Sequence, residues 1–186
     1  MKIVFIAGLQ ETGKNEIVGM VLKNMRSILP EINLIDFDDI LAESMQIDKT
    51  PGELDITLFN DMKNIRKIQK NFSRLLEKKM VGKVRTGRHL VVNGYFTLHT
   101  PEGEMPLVSE TFFDTYRPEA IINIELELIK GDPDAKRIVT IQDINRNHAS
   151  NFSAVSGADL KIIKVRKNNF RPAINEIVKT MKFIFS

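Results

Sequence analysis

Three observations in the sequence predict a three-layer α/β fold, a parallel sheet with helices on both faces. Five short apolar runs recur along the 186 residues, the stretches between them carry helical periodicity, and the first run leads directly into a glycine turn. Strands that read as continuous hydrophobic runs are buried on both faces, and strand–helix alternation makes such strands parallel.

The first run, residues 2–7 (KIVFIA), is β-branched and aromatic and ends at Gly8. Runs at 33–36 (NLID), 89–94 (HLVVNG), 120–126 (AIINIEL) and 160–165 (LKIIKV) supply the other strands. Apolar spacing predicts helices over 14–28, 38–46, 55–81, 109–116 and 141–155. Within 55–81, Ile65, Ile68, Phe72, Leu75 and Leu76 form a stripe opposite Lys63, Arg66, Lys67, Lys70, Arg74 and Lys78, the pattern of one amphipathic helix. A final helix is marked by Pro172, which suits an early helical position, and by the stripe Ile174, Ile177, Val178, Met181 and Phe185. The segment 97–105 (TLHTPEGEM) is the most turn-rich and reads as a loop. No repeat, low-complexity tract or Gly/Ser linker interrupts residues 1–186, which read as a single domain.

The absence of cysteine excludes disulfide scaffolds, thiolate zinc sites, iron–sulfur clusters and cysteine nucleophiles. His89, His99 and His148 are too scattered to rebuild a metal site. The N-terminal apolar run is far short of the ~20 residues that cross a bilayer, so a soluble, cytoplasmic protein with no membrane partner is expected. The net charge of +3 conceals two opposite blocks. Residues 31–55 carry Glu31, Asp36, Asp38, Asp39, Glu43, Asp48, Glu53 and Asp55 against Lys49, whereas residues 61–88 carry ten Lys and Arg against Asp61 and Glu77. The basic block reads as a solvated helix face, with a phosphate- or RNA-facing surface as the alternative. No aromatic platform accompanies it, so a nucleic-acid partner is not expected.

Gly8-Leu9-Gln10-Glu11-Thr12-Gly13-Lys14 has the glycine–four–glycine–lysine spacing of a Walker A phosphate loop, after a strand and before a helix. The glycines let successive N–H groups turn inward on phosphate oxygens, the helix N-terminus adds positive potential, and Lys14 reaches the β- and γ-phosphates. Gly8, Leu9, Gln10, Glu11, Thr12, Gly13, Lys14, Asn15 and Glu16 are therefore the candidate binding residues, and a triphosphate is the natural ligand. Asn15 stands where the motif has the Ser/Thr that ligates Mg²⁺. Its amide oxygen can coordinate a hard cation, but on a longer and differently directed side chain, so weak metal binding is expected. Glu11 would repel phosphates unless it turned outward or were neutralised.

The second strand ends in Asp36-Phe37-Asp38-Asp39, acidic groups at the carboxyl edge of the sheet where open α/β folds bind ligands. Asp36 and Asp38 can hold Mg²⁺ or take a proton from a substrate hydroxyl, with Asp36 the better metal candidate; Asp38 or Asp39 can instead cap a helix starting near Ile40. The third strand ends at Asn93, where many phosphate-loop enzymes carry an aspartate.

With these residues in hand, the sequence resembles the archaeal type of adenylate kinase, a P-loop nucleoside monophosphate kinase, along the length of the chain. The resemblance is carried by the N-terminal loop, Ile68-Gln69-Lys70, Thr100-Pro101-Glu102-Gly103, Asn145-Arg146 and, most specifically, the stretch from Ser156-Gly157-Ala158 to Lys161-Ile162-Ile163. It implies a P-loop NTPase fold with a five-stranded parallel core, ATP in the loop, AMP in a second pocket, Mg²⁺, and a homo-oligomer, often a trimer. It also implies that Arg137, in a lid near 130–138, and Arg146, in the following helix, join Lys14 in neutralising the transferring phosphoryl group. The sequence departs from the family pattern at Asn93-Gly94-Tyr95, which replaces Asp-Thr-His, and at Leu58, which falls where an arginine would meet the AMP phosphate; Lys63 or Arg66 are the nearby substitutes. The expected function is an ATP-binding kinase that transfers the γ-phosphoryl group to AMP or a related acceptor. The alternatives are a degenerate nucleotide-binding sensor, or a P-loop kinase for a small hydroxyl substrate.

Overall fold

The computed structural model describes residues 1–45, 62–100, 103–128 and 133–186. In chain order the elements are β1 (Ile3–Gly8), α1 (Lys14–Arg26), β2 (Asn33–Asp36), α2 (Phe37–Met45), α3 (Met62–Val84), β3 (Leu90–Asn93), β4 (Thr97–Thr100), β5 (Gly103–Pro106), α4 (Glu110–Tyr116), β6 (Ala120–Leu126), α5 (Ala135–Ser156), β7 (Asp159–Val165) and α6 (Arg171–Phe185). The main sheet runs β2-β3-β1-β6-β7, with every neighbouring pair parallel. This is the three-layer α/β architecture, with a five-stranded parallel sheet, that the alternating pattern predicts.

Strand β1 comes first in the chain and lies in the middle of the sheet, and all six of its residues are buried. Alternation along it feeds two cores. Ile3, Phe5 and Ala7 face α3, α4 and the later part of α5, while Val4 and Ile6 face α1 and α6. The first core is aromatic. Phe5 stacks on Phe96 with centroids 5.6 Å apart and meets Phe37 and Phe113 edge-on, arrangements that add to the ~1.5–3 kcal/mol expected from burying such a ring. The second core is aliphatic, built from Ile17, Val21 and Met25 of α1 against Ile122, Ile174, Ile177 and Met181. The predicted stripe of α3 is buried, and Arg66, Lys67, Lys70, Arg74 and Lys78 are exposed on its opposite face. Among the described residues no helix is long and apolar enough to cross a membrane.

Several boundaries differ from the sequence reading, each for a physical reason. Helix α5 begins at Ala135, six residues before the expected 141, because its first turns are solvated and bury only Ile138. Arg137 therefore sits in a helical turn; the earlier part of the expected lid, 130–132, lies outside the described residues, as do Leu58 and residues 55–61 of the expected long helix. Where a loop is expected over 97–105, Thr97–Thr100 and Gly103–Pro106 form the antiparallel pair β4–β5, with Leu98 opposite Met105. Helix α2 begins at Phe37, three residues before Ile40, drawn in by the fully buried Phe37 ring.

Candidate functional site

The phosphate-loop residues lie where β1 meets α1. Gly8 has φ 154°, and a Cβ there would stand 2.7 Å from the Ile124 carbonyl oxygen of neighbouring β6, so the loop leaves the sheet through a gap only glycine fits. Residues Gln10–Thr12 make one 3-10 turn, closed by the Thr12 hydroxyl donating to the Leu9 carbonyl at 2.6 Å. Leu9 packs on the aliphatic core, Thr12 is fully buried, and Glu11, Asn15 and Glu16 are exposed. Gly13 is the N-cap of α1 in the left-handed region, φ 71°, and a Cβ on it would meet the Phe170 ring at 2.5 Å. The N–H groups of the first turn of α1 have no acceptor within the helix, which makes this end a site for anions.

Lys14 is fully buried, and its side chain organises a polar cluster on the α1 face of the sheet. Its ammonium donates to Asn93 Oδ1 and to Asn15 Oδ1, the latter at 3.1 Å, and lies 4.1 Å from the centre of the Tyr95 ring. Burial pushes its pKa down from 10.5 to about 8, partly opposed by the carboxylates of Asp38 and Asp36. Because an ammonium can only donate, the atoms facing it on both asparagines are oxygens, and this fixes both amides. Asn93 Nδ2 then donates to Asp36 Oδ2 at 2.9 Å and to Asn15 Oδ1 at 3.0 Å, and Asn15 Nδ2 donates to Asp38 Oδ2 at 2.6 Å. Strand register explains the meeting, since Asp36 and Asn93 are direct partners across β2 and β3.

The cap of α2 differs from the sequence reading: it is Asp36 rather than Asp38 or Asp39. Asp36, the better metal candidate there, accepts the Asp38 N–H at 2.9 Å on Oδ1 and so caps α2, while its Oδ2 is held by Asn93. Asp38, one of the expected caps, instead sits in the first helical turn and reaches Asn15. Its Oδ2 also accepts from the Tyr95 hydroxyl at 3.5 Å, whereas its Oδ1 is buried and has no hydrogen-bond partner. Among the described residues no three His, Cys, Asp or Glu side chains converge as a complete metal cage. Yet an orphaned buried carboxylate oxygen, on a residue hydrogen-bonded to Asn15, suits the one- or two-carboxylate attachment that Mg²⁺ uses alongside substrate phosphates.

A second polar cluster lies at the same carboxyl edge on the α5 face. Glu125, side chain 2% exposed, receives Arg146 through two bonds, Nε to Oε1 at 2.9 Å and NH2 to Oε2 at 2.7 Å. This bidentate bond and the charge of Glu125 raise the Arg146 pKa. Asn123 Nδ2 supports Glu125 at 3.2 Å. Arg137 bonds Glu11 at 3.2 Å, so the loop carboxylate is neutralised by the arginine that the family resemblance assigns to the transferring phosphoryl group. Glu125 escaped the sequence reading, although a carboxylate inside an otherwise apolar strand run is itself a signal that a cation must meet it. Separately, a cleft of about 350 Å³ opens between α3 and α4, lined in part by Gln69, Glu77, Phe112 and Tyr116. It shares no residue with either polar cluster.

No family model matches the chain. It is 23% identical over 198 residues to the adenylate kinase of Methanocaldococcus jannaschii, covering 97% of this chain and 98% of that protein. It is 25% identical over 190 residues to the adenylate kinase of Thermoplasma volcanium, covering 95% and 98%, and 24% identical over 171 residues to that of Methanopyrus kandleri, covering 80% and 83%. Sequence and fold together make this chain a distant homologue of the archaeal adenylate kinases, within the P-loop nucleotide-binding and kinase superfamily.

Proposed function

We propose that the protein is an ATP-dependent phosphotransferase of the nucleoside monophosphate kinase type, moving the γ-phosphoryl group of ATP to AMP or a related acceptor. The observation that carries this reading is the position of Lys14: a buried lysine at the first turn of α1, directly after a left-handed glycine, at the carboxyl edge of a parallel sheet. The full-length similarity to proteins named adenylate kinase supports the choice of acceptor.

In this reading the loop from Gly8 to Lys14, with the N–H groups of Asn15 and Glu16, wraps the β- and γ-phosphates. Lys14 keeps one ammonium hydrogen beyond its two amide partners and turns it to the phosphates. An acceptor oxygen forms a bond to the γ-phosphorus, the bond to the β,γ-bridging oxygen breaks, and ADP leaves. The chain's part is to position both groups and neutralise charge, because phosphoryl transfer asks little covalent help. Arg137 exchanges Glu11 for phosphate oxygen, and Arg146 stays oriented by Glu125 with its remaining hydrogens available. Mg²⁺, when bound, would supply further charge neutralisation at the phosphates; Asp38 has an unpartnered oxygen to hold it, and Asn15 and Asp36 would do so only on giving up a present hydrogen bond.

The direct test incubates the purified chain with ATP, Mg²⁺ and each of the four common monophosphates, followed by chromatography of the diphosphates. ADP formation with AMP, lost in Lys14→Met, is expected; no diphosphate from any acceptor at micromolar protein refutes transfer. A second reading, a nucleotide-holding protein with little turnover, is favoured by one observation: Lys14, Arg137 and Arg146 are all engaged by the protein's own side chains. ATP affinity without any diphosphate product would select it. A homo-oligomer is the assembly proposed with the kinase reading, and light scattering on the purified chain measures it.

A further inference from the structure

We infer that Asp38, at the start of α2, is the acid that anchors the divalent cation in this site, taking over the task from position 93, where the third strand carries a neutral amide. The inference rests on the nucleotide reading of the loop. Three observations carry it: the charge in the cluster, the saturation of its other oxygens, and the link from Asp38 to the loop.

The cluster holds one buried ammonium, Lys14, against two carboxylates, Asp36 and Asp38, and so retains one negative charge beside the phosphate loop. The amides of Asn15 and Asn93 distribute hydrogen bonds but add no charge. Asp36 has both oxygens taken, Oδ1 by the Asp38 N–H and Oδ2 by Asn93. Asn93 Oδ1 faces the Lys14 ammonium, and Asn15 Oδ1 receives both that ammonium and the Asn93 amide. Among these four side chains Asp38 Oδ1 alone is without a donor, and it is buried. A desolvated carboxylate oxygen is costly to leave unmet, and a cation or its coordinated water removes that cost. Asp38 is also tied by its other oxygen to Asn15 at 2.6 Å, the residue at the metal-ligating position of the phosphate loop. An acid clamping that residue from α2 does from one side what an acid at the end of β3 would do from the other. Magnesium keeps several waters and needs only one or two protein carboxylates beside the phosphates, so Asp38 suffices.

The test is a calorimetric titration of ATP onto the full chain, in excess EDTA and in excess MgCl₂, for the wild type, Asp38→Asn and Asp39→Asn. Asp38→Asn keeps the shape and an oxygen while removing the charge. Asp39→Asn makes the same charge change one residue away on an exposed position. The wild type is expected to bind ATP at least tenfold more tightly with Mg²⁺, Asp38→Asn to keep the EDTA affinity within about threefold and lose most of the metal-linked gain, and Asp39→Asn to keep the gain. A full gain in Asp38→Asn overturns the assignment, as does a wild type that binds ATP equally with and without Mg²⁺; both leave nucleotide binding standing. Loss of the gain in Asp39→Asn as well as in Asp38→Asn overturns it too, by reducing the effect to general charge. No ATP binding in either buffer removes the nucleotide reading and the inference with it. Far-UV circular dichroism melts of each variant separate loss of the fold from loss of the anchor.

Discussion

The buried ammonium of Lys14 makes a quantitative prediction about stability and pH. Its pKa falls from 10.5 to about 8 on folding because burial strips the ammonium of water. Below about pH 8 the folded and unfolded chains both hold the proton, and the fold carries the full desolvation penalty. Between the two values the unfolded chain holds more protons than the folded one, so stability rises with pH through this window. The proton difference integrates to a gain of about 2 kcal/mol for the wild type between about pH 7 and about pH 9.5, measured relative to a Lys14→Met variant in which the group is absent. The comparison with Lys14→Met cancels the other lysines and tyrosines that titrate nearby. Urea unfolding followed by far-UV circular dichroism is the appropriate assay, because the chain has no tryptophan. A difference between wild type and Lys14→Met that stays flat across the range would falsify the picture of a desolvated ammonium held by two amides. The same protonation governs binding: ATP affinity of the wild type should fall as pH rises through about 8, where the free protein loses its Lys14 charge.

Four further substitutions test three separate links. Gly8→Ala places a methyl group 2.7 Å from the Ile124 carbonyl oxygen at a φ of 154°, and should cost at least ~2 kcal/mol in urea unfolding; a loss under ~0.5 kcal/mol would show that the strand exit is looser than described. Arg146→Ala leaves the buried Glu125 charge without its partner and should cost about 3 kcal/mol, whereas Glu125→Gln leaves a half-exposed arginine that water can serve and should cost about 1 kcal/mol; equal or reversed costs contradict this account of the pair. Glu11→Gln removes the loop carboxylate and frees Arg137, so ATP should bind up to about fivefold more tightly in a calorimetric titration; weaker binding would mean that Glu11 helps shape the loop rather than only shielding it.

The three inner strands, β1, β3 and β6, were legible because they are almost wholly apolar and buried on both faces, and the edge strands β2 and β7 because short apolar cores such as Leu34-Ile35 and Ile162-Ile163 stand between helical stretches. The helix stripes of α3 and α6 were legible for the same reason, since one face of each is committed to a core. The β4–β5 pair was not, because Thr97–Thr100 and Gly103–Pro106 are short and mixed in polarity, and Gly103 and Pro106 read as turn formers. The start of α5 was hidden by a solvated first turn whose Lys136 and Arg137 look like loop charges. At the site, Lys14 and its loop followed from local spacing. Its partners did not, since Asn93 and Tyr95 lie 79 and 81 positions away and are brought in only by strand order. That Asp36 rather than Asp38 caps α2 turned on where the helix begins, which the burial of Phe37 decides and which polar spacing alone leaves open.

The central place of β1 has a consequence for how the protein is made. Its six residues are synthesised well before either partner, Leu90–Asn93 on one side and Ala120–Ile124 on the other. At roughly 5–20 residues per second, roughly ten seconds pass between synthesis of the strand and synthesis of its second neighbour. Until β3 is made, this apolar, β-branched segment has neither partner, and one of its edges stays open to other nascent chains until β6 follows. Helix α1 can cover only one of its faces. The strand that leads into the phosphate loop is therefore also a segment that waits unpaired during translation, and slower synthesis between β1 and β6 lengthens the time in which it can aggregate.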